Sequence, residues 1–177
     1  ISYLQMFIFI TLIWILVRLI IAIRFKKFSV KRELQMLLVY ICLVVIARFV
    51  YFPLHLVDGK IGTLTIGPTK TPSDMISLIP FYCLIDRYDG WLVNIIGNLA
   101  MFIPVGIVWP ICFRKLDNIK KTVFAGICFI IFIELSQLVS PERHTDIDDL
   151  ILNTSGVLIG ACIIFAIRKA AKSDLPQ

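Results

Sequence analysis

The chain has 177 residues, 59% of them hydrophobic and 17% charged, with a net charge of +6. A soluble domain carries roughly 25% charged residues and spaces its apolar positions at helical or strand periods. Here the charges gather between apolar runs about 20 residues long, the length that crosses a bilayer, and the Lys and Arg at the ends of those runs form no basic face with interleaved aromatics, which excludes a nucleic-acid partner.

The first apolar run extends roughly from Leu4 to Ile23 and is followed by Arg24, Lys26, Lys27, Lys31 and Arg32. No basic segment precedes it, so it reads as an anchor rather than a cleaved signal peptide. The chain opens at Ile1 without an initiator Met, which leaves room for residues upstream. A second run spans about Leu34 to Leu56 and contains Arg48. The segment 57–90 holds Gly, Pro, Thr and mixed charges, and is too polar to cross. Within it, Gly59 and Gly62 around Lys60-Ile61, followed by 63–68, suit a small hairpin. Met75 to Leu84 is apolar enough to lie in the interface or re-enter among helices. A third run covers Trp91 to Phe113, ending at Arg114 and Lys115. The fourth, Thr122 to Val139, follows Lys120 and Lys121, and Ile130 is expected on its lipid-facing side. A short polar loop from Ser140 to Asp148 leads to a fifth run, Asp149 to Ile167, closed by Arg168, Lys169 and Lys172. The expectation is an all-α membrane protein: about five transmembrane helices in one polytopic domain over 1–177. The five cysteines are scattered and mostly within apolar runs, where Cys behaves as a small hydrophobe.

Cytoplasmic loops carry the excess of Lys and Arg. The loops after spans one and three and the tail after span five are basic, whereas the other two loops hold as many acids as bases or more. That alternation puts the N-terminus outside and the C-terminus in the cytoplasm. Arg18, near the inner end of span one, is expected to snorkel to the headgroups.

Polar residues inside a span are costly and need a reason. Asn94 and Asn98 share a face of the third span, with Gly97 beside them; Glu134 and Gln137 share a face of the fourth. Asp149, Asn153, Gly156 and Gly160 form one stripe on the fifth, at spacings of four, three and four. Under the orientation above, all three polar faces lie in the outer half of the membrane. Arg143, His144, Asp146 and Asp148 sit in the adjoining loop. The competing reading is structural: amides as interhelical glue, Gly156 and Gly160 as a close-packing pair, and Asp146 or Asp148 as a helix cap. Arg48 and Glu134 have comparable expected depths, which suggests a buried ion pair; Arg48 snorkelling is the alternative.

Ser77-Leu-Ile-Pro-Phe81, Asn94, Gly97-Asn98, Phe102-Ile-Pro-Val-Gly106, Glu134-Leu-Ser-Gln137, Arg143, Asp146-Ile-Asp-Asp149, Asn153 and Gly156 follow one another in an order and spacing that resembles the VanZ-like membrane family. The motif region covers 77–160. Ser77 stands where the family usually has Asn, and the two N-terminal spans carry little of the resemblance. The resemblance implies a bacterial cell-membrane protein connected with resistance to teicoplanin, a glycopeptide antibiotic with a lipid tail.

Three functions fit these residues. The first is a non-enzymatic factor whose outer-leaflet pocket binds an amphiphile: a membrane lipid, a lipid-linked wall precursor or a lipoglycopeptide tail. Its ligand-binding residues are Asn94, Asn98, Glu134, Gln137, Arg143, Asp146, Asp148, Asp149 and Asn153. The second is a membrane enzyme acting on lipid-linked wall substrates through its Glu and Asp cluster; only there would a cofactor, Mg²⁺, enter. The third is a small transporter or assembly partner, although no duplicated half with interrupted helices is present. The first is favoured, because the enzyme would need a nucleophile or a metal set and no signature of either is present.

Overall fold

A computed structural model describes residues 1–25, 29–52, 56–57, 60–67, 76–77, 79–80, 90–140 and 145–173. Among these residues the protein is built from five helices: α1 (Tyr3–Phe25), α2 (Val30–Tyr51), α3 (Trp91–Cys112), α4 (Ile119–Gln137) and α5 (Ile147–Ser173). Four two-residue strands accompany them: β1 (Leu56–Val57), β2 (Lys60–Ile61), β3 (Ile76–Ser77) and β4 (Thr145–Asp146). The chain divides into two compact units, Ile1–Gly67 and Pro68–Gln177.

In the first unit, α1 has no buried residue, as expected of a helix apolar on every side and exposed to lipid. It meets α2 through a hydrogen bond between the Thr11 and Tyr40 hydroxyls at 2.6 Å and through the Trp14 and Tyr40 rings, 5.7 Å apart. Arg18 does not simply snorkel. Its guanidinium donates through Nε and Nη2 to both carboxylate oxygens of Glu33 on α2. The second span is shorter at its end than the apolar run suggests. Phe52 is extended at φ −123°, ψ 144°, because the following Pro53 disfavours helical geometry in the residue before it. Leu56 therefore falls in β1, which pairs antiparallel with β2, Leu56 opposite Ile61 and Val57 opposite Lys60. The N-terminal amine donates to the Leu64 carbonyl at 2.7 Å, and Leu64 N–H returns to the Ile1 carbonyl at 2.8 Å.

In the second unit, α3 begins behind Gly90, whose φ of 92° is the left-handed conformation that glycine adopts at least cost. α4 starts earlier than the apolar run, at Ile119, because the Asn118 side chain accepts the Lys121 N–H at 2.9 Å and caps the first turn. Lys120 and Lys121 are thereby drawn into the helix. α5 runs on past the apolar segment to Ser173.

The most extensive packing is between α3 and α5. Gly156 lies against the Leu99 carbonyl, Gly160 against that of Ile103, and Gly106 against that of Val157. A methyl group on any of the three would collide with backbone, so the small residues set the distance of approach. The contacts advance together along both helices, so α3 and α5 run parallel. Phe102 and Val105 of α3, Ile130 of α4, and Val157 and Ala161 of α5 are fully buried. Gly126 of α4 admits the Val157 side chain; a Cβ there would come within 2.7 Å of it. Ile130 thus points into the protein, not toward lipid. α1, α2, α3 and α5 are long and apolar enough to cross a membrane. α4 has 19 residues and carries Lys120, Lys121 and Glu134.

A candidate polar site at the head of α3 and α5

The site is built from the first turns of α3 and α5 and the last turn of α4. Asp146 ends β4, and its Oδ1 accepts the Asp148 N–H at 3.0 Å, which caps α5 and places a negative charge at the positive end of the helix. β4 itself is held in place by β3. The two pair in parallel, Ile76 opposite Thr145 and Ser77 opposite Asp146. The backbone at Ile76–Ser77, within the polar segment before α3, is thereby joined to the entrance of α5. β4 also lies against α4 and α5.

On α3, Asn98 donates through Nδ2 to Asp149 Oδ1 on α5 at 2.5 Å and to Asn94 Oδ1, one turn earlier, at 3.4 Å. One amide thus joins both helices. Asp148 and Asn153 are each 3% exposed, and Glu134 and Gln137 on α4 are each 7% exposed. The carboxylates of Asp146 and Asp149 act electrostatically on Glu134. Among the described residues, the Asn153 Oδ1 is buried and has no hydrogen-bond partner. Leaving such an atom unmatched typically costs about 1–3 kcal/mol.

Sequence reasoning overlooked Ser140. It is buried, and its Oγ is unpartnered among the described residues, just beyond the end of α4. Its placement before Pro141, where helices tend to stop, was the available signal. Arg143, His144 and most of Met75–Leu84 lie outside the described residues. Arg48 belongs to the first unit, where its guanidinium reaches the Phe52 carbonyl at 3.4 Å and lies 5.8 Å from the centre of the Tyr3 ring; Glu134 belongs to the second. No group of three or more His, Cys, Asp or Glu side chains that could hold a metal ion is found among the described residues.

Comparison with known proteins places this geometry in context. The family model described as VanZ/LLP1 matches residues 37–168, which is 132 of the 177 positions. The match reaches back to Leu37 in α2, well ahead of the motifs that begin at Ser77. No curated protein and no solved structure matches the chain. The chain belongs to the VanZ/LLP1 family.

Proposed function

From that membership as premise, we propose that the protein binds an amphiphile in the outer leaflet of a bacterial cell membrane. The polar head of the ligand lies at Asn94, Asn98, Glu134, Gln137, Asp148, Asp149 and Asn153, and its acyl part lies along neighbouring apolar helix surface. The N-terminus is outside and the C-terminus cytoplasmic. The ligand is a lipid, a lipid-linked wall precursor or the tail of a lipoglycopeptide, and the consequence is protection against teicoplanin-type antibiotics. The observation that carries this reading is the Asn153 Oδ1, buried without a partner among the described residues, one turn from the Asn98–Asp149 hydrogen bond. Pure scaffolding leaves that acceptor unexplained, because buried polar groups are almost always matched. A headgroup hydroxyl or amide supplies the missing donor, and mixed amides and acids beside apolar walls suit such a molecule.

The test is protection in a susceptible host, read alongside the amount of protein in the membrane. Asn98→Ala, Gln137→Ala and Asn153→Ala should reach the membrane near wild-type levels yet weaken ligand binding by roughly five- to 150-fold, the equivalent of one unmatched polar group. Protection against teicoplanin should fall with it, and vancomycin, which lacks the acyl tail, should be little affected. Phe132→Ala, at a position 66% exposed on α4, is the control and should keep protection. Full protection by all three polar variants at normal abundance would refute the reading. Their disappearance from the membrane would assign the residues to interhelical adhesion instead.

A further inference from the structure

A second concave feature lies at the opposite end of the same helices. Where α3 and α5 finish, a cavity of about 480 Å³ is lined by Arg114, Arg168, Lys169 and Lys172, with Ile111 and Phe165 among its apolar walls. Three of the four cations come from α5, and with Phe165 they fall at positions 165, 168, 169 and 172, the spacing of one helical stripe. Arg168 is fixed in place. Its Nη2 donates to the Pro110 carbonyl at 2.9 Å, satisfying one of the terminal carbonyls of α3, and its guanidinium lies 5.2 Å from the centre of the Phe165 ring.

The remaining charges need an account. Asp117, the one acid on the cavity wall, is already bound by Lys121 at 2.9 Å. Arg114, Lys169 and Lys172 form no ion pair among the described residues. The ends of two helices favour nearby cations, but that preference places single charges and does not gather four around a hollow large enough for a ligand.

We propose that this cavity binds the phosphate group of an anionic phospholipid in the leaflet facing the basic loops. The shared chemistry is a phosphate held by guanidinium and ammonium donors. The source is a lipid and not free phosphate, because Ile111 and Phe165 continue the wall into the apolar helix surface, where acyl chains lie. Basic pockets between membrane helices are suited to such headgroups. The site is independent of the outer polar site, since it involves none of the same residues and lies at the other end of α3 and α5.

The full chain, reconstituted in vesicles of equal parts phosphatidylglycerol and phosphatidylcholine and gently extracted, should retain phosphatidylglycerol preferentially when bound lipid is counted by native mass spectrometry. Arg114→Gln with Lys169→Gln and Lys172→Gln should lower that preference by roughly fivefold for each charge removed. The charge-matched control, Arg24→Gln with Lys31→Gln and Arg32→Gln in the first unit, should retain it. Lys169→Arg with Lys172→Arg should also retain it, so a loss caused by misfolding is recognised. Equal retention of both lipids by the wild type would overturn the proposal, as would equal losses in the two triple variants. Displacement of the bound lipid by millimolar inorganic phosphate would overturn the lipid assignment.

Discussion

At the scale of single residues, Asn98 is the most informative position. Its Nδ2 is the donor that Asp149 on another helix receives, and it reaches Asn94 as well. Replacing it by Ala removes the donor. Replacing it by Asp removes the donor and sets a second carboxylate against the first, which strongly disfavours ionisation of both. Asn98→Asp should therefore lower the thermal stability of the detergent-solubilised protein more than Asn98→Ala does. Asp149→Asn keeps an acceptor oxygen and should be milder than either. If Asn98→Asp were as stable as the wild type, the Asn98–Asp149 hydrogen bond would not be holding the two helices together. Choosing which polar residues share a helix face needed only their spacing, so Asn94 with Asn98 and Asp149 with Asn153 were legible in the sequence. Two things were not. Spacing alone does not say that the Asn153 Oδ1 is unpartnered among the described residues or that Ser140 is buried, because both depend on what a neighbouring helix brings. Spacing also does not pair Arg18 with Glu33, which lie on different helices separated by a basic loop.

At the scale of elements, glycines decide how closely α3 and α5 approach. Gly160→Ala gains up to about 1 kcal/mol in helix propensity, but its methyl would meet the Ile103 carbonyl, which is backbone and cannot rotate away. Overpacking of this kind typically costs about 1–3 kcal/mol, so crowding wins and the variant should melt lower. Gly97 is the internal comparison. It lies on α3 beside the polar face, yet a Cβ there meets nothing within 4 Å among the described residues, so Gly97→Ala should be neutral or slightly stabilising. Equal destabilisation by the two would show that the cost lies in the helices themselves and not in their contact. The spans were legible because apolar runs of bilayer length leave few alternatives. Their ends were less so, because local chemistry moves them. Pro53 stops α2 early, Asn118 starts α4 early, and the Asp146 cap starts α5 at Ile147, ahead of the run read from Asp149. Ile130 was misplaced for a related reason: an apolar residue in a membrane helix is equally at home against lipid or protein, and only the Gly126 face shows which side of α4 packs.

At the scale of the whole molecule, the parallel course of α3 and α5 constrains how the chain crosses the membrane. α3 carries the amides Asn94 and Asn98 in its N-terminal half and α5 begins with Asp148, Asp149 and Asn153, while cations follow the end of α3 at Arg114 and Lys115 and lie in the last turns of α5. Two parallel spanning helices require the chain between them to return across the same thickness. In 19 residues α4 covers about 28 Å at the usual helical rise, close to the roughly 30 Å of a hydrocarbon core. Its charges fit that path: Lys120 and Lys121 fall in its first turn beside the basic end, and Glu134 falls near the polar site. Combined with the rule that basic loops stay cytoplasmic, the expectation is that the turn after α3 and the end of α5 face the same, inner side. In a chain stripped of native cysteines, Ile66→Cys should react with a membrane-impermeant maleimide on intact cells. Lys115→Cys and Ser173→Cys should react only after permeabilisation. The reverse pattern would invert the orientation, exchanging the leaflets assigned to the polar site and the basic cavity. Labelling of Ser173→Cys but not Lys115→Cys from outside would mean that α4 fails to return the chain, which the parallel packing of α3 and α5 does not allow.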